Sequence, residues 1–167
     1  MINMHAAYDE EFVSEELAAL GSYNHSYLQA KLTSLFFIMN EYTAFTELSL
    51  DVSHLEDDVL RAKFIDTIKP DICLYPARSL DVAEDILKMT EMPLLTIEIL
   101  SPMQGVQTLL EKIKVYFALG VQSSWLIYPS VRTVAVYSSA KAFMSYSDGD
   151  VVDETLGIRI PLSDIFS

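Results

Sequence analysis

The sequence predicts a mixed α/β (α+β) domain: a β-sheet core flanked by helices, with a β-rich C-terminal part. Three observations predict it. Apolar residues recur at three and four over residues 25–42 and 105–119, the helical period. Short runs such as Leu94-Leu95-Thr96-Ile97-Glu98-Ile99-Leu100 and Ser123-Ser124-Trp125-Leu126-Ile127-Tyr128 have the length and composition of buried strands. Beyond residue 130 strand and turn signals follow one another with little helical period. Sheet and helix each bury one face against the other, so layers of both kinds are the natural packing.

The elements follow in order. Residues 9–20 read as an acidic amphipathic helix with Phe12, Leu17 and Leu20 inward, ended by Gly21. Ser22 or Asn24 caps the next helix, 25–42, whose inward stripe is Leu28, Leu32, Leu35, Phe36 and Met39. Residues 44–53 alternate as a strand, with the period broken near Glu47, and 63–75 form a second strand region after an acidic turn. A short helix is expected over 79–90, stopped by Pro93, and then the strand 94–100, broken by Ser101-Pro102. The helix 105–119 ends at Gly120. Strand 123–128 ends at Pro129. Residues 132–138 and 141–147 pair as a hairpin, Asp148-Gly149-Asp150 turns, and Leu156 to Phe166 supplies a last short strand and a helical turn.

The chain has 167 residues, which suits one domain: residues 22–167, with 1–21 an acidic helix belonging to it. Hydrophobic residues make up 51% and charged residues 21%, a globular composition. No apolar run reaches the length of a membrane span, and Asp9, Glu10, Glu11, Glu15 and Glu16 are wrong for the basic start of a signal peptide. The one cysteine, Cys73, cannot form an internal disulfide, which fits a reducing cytoplasm. The net charge of −13 argues for solubility and against a generous phosphate-binding groove. Contact with DNA would need a local basic patch, a metal ion or a second subunit.

Two acids stand among apolar strand residues: Glu98 in the run 94–100, and Asp71 in Ile68-Lys69-Pro70-Asp71-Ile72-Cys73-Leu74. An ionised carboxylate there loses several kcal/mol of hydration unless a cation or strong donors replace the water (order of magnitude). If the two strands are adjacent, both carboxylates meet on one face near the strand ends. Such hard oxygen ligands suit Mg²⁺ or Mn²⁺. On the helix that follows, Lys112 and Tyr116 share a face. Lys112 lies at the edge of the apolar stripe Val106, Leu109, Leu110, Ile113 and Phe117 and can reach back to the sheet, whereas Lys114 faces solvent. Each residue also has an ordinary reading: Glu98 as a strand-end acid paired to a lysine, Asp71 as a turn acid after Pro70, Lys112 as a surface lysine, His25 as a helix residue. Cys73 and Trp125 read as core, Arg132 as a hairpin residue or a phosphate contact, and His5 and His54 have no partner at metal spacing.

The ordered set Pro70-Asp71, Ile97-Glu98-Ile99-Leu100-Ser101-Pro102, Glu111-Lys112-x-x-x-Tyr116, Gly120-Val121, Trp125-Leu126-Ile127-x-Pro129 and Arg132-Thr133-Val134-Ala135-Val136-Tyr137 resembles the Uma-type restriction endonuclease family of bacteria, especially abundant in cyanobacteria. That family belongs to the PD-(D/E)XK nuclease superfamily. The resemblance covers roughly residues 22–167. It implies a restriction-endonuclease-like core, Asp71 and Glu98 as metal ligands, Mg²⁺ (or Mn²⁺) as cofactor, and hydrolysis of DNA phosphodiester bonds. It departs at one place: the superfamily puts lysine two residues after the glutamate, and here that residue is Leu100. The resemblance implies that Lys112 takes over its role, with His25, Gln29 and Tyr116 as supporting residues and Asn24 a further candidate on the first core helix. The competing expectation is a non-catalytic binding or regulatory module on the same fold, favoured by Leu100 and the charge. A homodimer is expected, through tail hydrophobics such as Val134, Val136 and Tyr137 if they are exposed.

Overall fold

The computed structural model describes residues 20–56, 58, 63–64, 66–80 and 83–167. The acidic helix expected over 9–20 and His5 lie outside the described residues, apart from Leu20. Helix α1 spans Tyr23–Ile38; Ser22 caps it by accepting from the His25 backbone N–H at 3.3 Å. Its buried stripe is Leu28, Leu32 and Phe36, four residues apart, with Leu35 and Met39 packed at the margin. Asn40 in the left-handed region (φ 58°) turns the chain out of the helix.

Strand β1 (Tyr42–Thr46) follows, then β2 (Leu50–Asp51). The single strand expected over 44–53 is thus two pieces. The break falls at Glu47, whose positive φ of 52° no regular strand accommodates. Strands β3 (Thr67–Ile68) and β4 (Ile72–Pro76) are likewise separate, with Lys69-Pro70-Asp71 between them. Strand β5 is Leu95–Ile99, helix α2 Val106–Ala118 and strand β6 Ser123–Tyr128. A 3₁₀ turn, Pro129–Val131, leads to the hairpin β7 (Thr133–Tyr137) and β8 (Phe143–Tyr146). Strands β9 (Asp150–Asp153) and β10 (Ile158–Pro161) and helix α3 (Leu162–Phe166) complete the chain.

The main sheet has six strands in the order β1-β4-β5-β6-β7-β8. Only β5 and β6 in it run parallel, as their connection through α2 requires; the other neighbours are antiparallel. Alternation sends Leu95, Ile97 and Ile99 of β5, with Trp125 and Ile127 of β6, into the core under α1. The opposite face carries Leu126, Ala135 and Tyr137 against Leu109 and Ile113 of α2. Full burial of each large apolar side chain contributes roughly 1.5–3 kcal/mol.

Two expectations fail. No described residue of 79–90 is helical: Leu80, Ile86 and Leu87 are exposed, and Met89 instead bonds in extended form to β2 (Met89 N–H to Ser49 O 2.8 Å, Asp51 N–H to Met89 O 2.9 Å). Val134, Val136 and Tyr137 are buried and offer no dimer face. The β9–β10 hairpin and α3 supply Val151, Ile158, Ile160, Leu162 and Ile165 to the core that includes Val134 and Val136, while Tyr137 packs on the α2 side.

The same closure buries Asp153 to 1% exposure. Its carboxylate accepts from Ser123 Oγ (2.5 Å), Trp125 Nε1 (2.8 Å) and the Leu156 backbone N–H (3.1 Å). This acid ties the tail to the sheet. Asp153→Ala leaves buried donors without a partner and is expected to cost on the order of 3–5 kcal/mol, read as a lowered urea midpoint. An unchanged midpoint would contradict that role.

Candidate active site

The antiparallel register of β4 and β5 pairs Ile72 with Ile97, so one step further Asp71 lies opposite Glu98 at the end of the sheet. The Asp71 Oδ2 atom accepts from the Ile99 backbone N–H at 2.7 Å, which ties the acid to β5. His25 Nε2 contacts the same oxygen at 3.1 Å, and Gln29 Nε2 donates to the Asp71 carbonyl at 2.8 Å. His25 and Gln29 stand four apart on α1, one above the other, so a single helical face grips this residue.

Glu98 projects to the α2 side of the sheet and is only 1% exposed. Its Oε1 accepts from Lys112 Nζ at 2.6 Å and from the Tyr116 hydroxyl at 2.5 Å. Lys112 Nζ also donates to the Lys69 carbonyl at 2.7 Å. The face shared by Lys112 and Tyr116 is therefore the face that meets Glu98. Leu100, partly buried, packs against the apolar cluster under α2, so the position two residues after Glu98 is a packing position. Lys114 is exposed, as its rotation away from the stripe predicts.

Burial pushes the Glu98 carboxyl up to about 7; the Lys112 ammonium opposes this and the Asp71 charge adds to it. His25 is raised chiefly by its hydrogen bond to Asp71, against the effect of burial, with the charges of Asp71, Glu98 and Glu47 assisting. Burial, and then Glu98, hold the Tyr116 hydroxyl well above its ordinary range, so it acts as a donor. Both resolved shifts at physiological pH have one sign for stability. The folded chain keeps the Glu98 proton up to about 7 whereas the unfolded chain releases it near 4.5, so stability falls as pH rises between them. The His25 contribution is present below 6.5 and is lost as pH rises through its raised folded value. Without divalent cations, the urea midpoint is expected to fall between about pH 5 and about pH 8, and Glu98→Gln to flatten that fall. A flat or rising wild-type profile would contradict it.

Asp71 Oδ1 and Glu98 Oε2 receive no hydrogen bond from the described residues, and no described buried side-chain oxygen lacks a partner. Asp71 is partly exposed and Glu98 is buried at the inner end of the pair. Two such carboxylate oxygens on neighbouring strands fit a hard divalent cation that retains part of its water. Among the described residues no group of three or more His, Cys, Asp and Glu side chains gathers at metal spacing.

Of the remaining candidates, Asn24 and Arg132 line a different cavity, and His54 is exposed. Cys73 is buried, with its thiol pushed up to about 12 by burial, as suits a core residue. The sequence reading missed Glu47, whose backbone N–H donates to the Asp71 carbonyl at 3.2 Å and whose charge acts on His25. The break in strand period at that residue was its signal. It also missed the Ile99 N–H, which no side-chain pattern can announce.

The model of the family described as Uma2, putative restriction endonuclease, matches residues 5–163. The chain belongs to the Uma2 family. The solved structure of a putative nuclease belonging to DUF820, from Anabaena variabilis ATCC 29413, has a TM-score of 0.69 to this chain at 22% identity. The match covers 88% of this chain and 82% of that one. At that identity the likeness speaks to the fold, and it agrees with the mixed sheet and flanking helices of a Uma2 protein. No protein of curated function matches. No helix among the described residues is long and apolar enough to cross a membrane.

Proposed function

We propose that this Uma2 protein is a metal-dependent endonuclease that hydrolyses DNA phosphodiester bonds, with Asp71 and Glu98 holding Mg²⁺ or Mn²⁺. The observation that supports the reading is the pair of acids at the adjoining ends of β4 and β5, each with one carboxylate oxygen engaged by the protein and the other without a hydrogen bond from the described residues. When bound, the cation would polarise a phosphoryl oxygen and make an attacking water more acidic.

The chain's own residues do the rest. Ile99 N–H and His25 hold Asp71 in a fixed orientation, and Tyr116 does the same for Glu98. Lys112, whose side chain is 14% exposed and whose ammonium sits on Glu98, would orient the water and stabilise negative charge developing on the phosphoryl group. Its origin on α2 leaves the position of Leu100 free to pack. The net charge of −13 favours the second reading, a non-catalytic module, because it opposes tight DNA binding.

Cleavage of plasmid DNA decides between them. Wild type is expected to nick DNA with Mg²⁺ or Mn²⁺ and not with EDTA, and Asp71→Ala and Glu98→Ala to lose at least about a hundredfold in rate. No cleavage by wild type, or equal cleavage by the variants, would reject the catalytic reading.

A further inference from the structure

Helix α1 presents a second face to an open cavity. Tyr23 and Tyr27 are four residues apart and share one side of it, whereas His25 and Gln29, two residues offset, point nearly the opposite way, to Asp71. Tyr23 is 85% exposed and Tyr27 45%. With Ser130, Arg132 and Phe166 they line an open cavity of about 510 Å³. That volume lies within the range of small-ligand sites.

The cavity lies at the same end of the sheet as the acids. Strands β5 and β6 run parallel with Ile99 beside Ile127, so the Pro129–Val131 turn leaves β6 at the end where Glu98 sits. The first turn of α1 is brought to that end by His25 on Asp71. Arg132 has a backbone that L-residues seldom adopt (φ 48°), and its guanidinium has no hydrogen-bond or ion-pair partner among the described residues. That backbone closes the Pro129–Val131 turn, with the Arg132 N–H donating to the Pro129 carbonyl at 3.3 Å, and leaves the guanidinium lining a cavity shared with exposed aromatic rings.

We propose that this cavity takes an unpaired nucleobase of a DNA strand, stacked on Tyr23 and Tyr27, with Arg132 on the adjoining phosphate. Exposed ring faces recognise the face of a base, which a duplex hides and a splayed or single-stranded nucleotide presents. A duplex backbone would need a track of cations. Here one guanidinium serves the cavity of a chain with net charge −13, so stacking supplies most of the affinity. The inference rests on the nuclease reading and adds to it the form of substrate: a strand unpaired beside the scissile bond.

The test is fluorescence anisotropy of a labelled single-stranded oligodeoxynucleotide and of its duplex, on the full chain. Wild type is expected to prefer the single strand, with a weak salt dependence corresponding to about one phosphate contact. Tyr23→Ala is expected to weaken binding roughly 5- to 150-fold, the effect of one lost stack, and Tyr23→Trp to retain it. Arg132→Gly accepts the left-handed backbone without strain, so its unfolding midpoint should hold while its affinity drops. Wild-type affinity in both Tyr23→Ala and Arg132→Gly, or a wild type that prefers duplex, would overturn the proposal. Metal-dependent cleavage in that case would leave the nuclease reading standing. Loss of single-strand binding in the variants of a protein that never cleaves would support the cavity and sink the nuclease reading alone.

Discussion

Glu98→Gln is expected to abolish metal-dependent cleavage while leaving the fold at least as stable as wild type at about pH 8. The two effects separate because they arise from different properties of one carboxylate. Its charge is what a divalent cation needs, and an amide oxygen is a far weaker ligand for a hard ion. That same charge is costly to the empty fold: the raised value of about 7 shows burial outweighing the help of Lys112 and Tyr116. Glutamine keeps the shape and can still accept from the Tyr116 hydroxyl. Lys112 retains the Lys69 carbonyl as a partner. Activity and the urea midpoint, measured together, check this. A variant that loses both would make Glu98 a structural half of an ion pair.

Lys112→Met is expected to lower the cleavage rate about 10²- to 10³-fold with the metal site still occupied. The methionine stem fills the space along α2 that the lysine stem covers, so the change removes mainly the ammonium. Without that ammonium the Glu98 carboxyl should rise further, because Lys112 is the largest influence holding it down. Metal binding at about pH 8 should survive, since both carboxylates remain and the cation itself competes with the proton for Glu98. The check is a rate measured at saturating Mn²⁺ beside a titration of the metal. A full rate would show that Lys112 does no more than neutralise Glu98. Loss of metal binding would show that it acts through the site's architecture.

Much of this site was legible before the fold. Asp71 and Glu98 stood out because carboxylates among Ile, Leu and Cys need partners, and the period of a strand set them on one face. Lys112 followed from helical geometry, being four residues from Tyr116 at the edge of an apolar stripe. What could not be read depends on contacts far apart in sequence. Asp153 stands in an acid-rich stretch, 148–154, that gives no sign of burial, yet it is buried because β9, β10 and α3 fold back over Trp125. The same covering hides Val134 and Val136, whose alternation alone leaves open which layer lies above them. Residues 79–90 hold enough leucine and isoleucine for a helix, but backbone bonds from Met89 to Ser49 and Asp51 claim the end of that segment for an extended course. Glu47 needed its positive φ to come beside Asp71, a conformation glycine would have advertised and glutamate conceals.

The most direct test of the metal centre is calorimetric titration of Mn²⁺ into wild type and Glu98→Gln at about pH 8, where the Glu98 carboxyl is ionised in the folded chain. One Mn²⁺ per chain in wild type, and none in the folded variant, is the expected result. No binding by wild type, or equal binding by both, would contradict a cation held between Asp71 and Glu98.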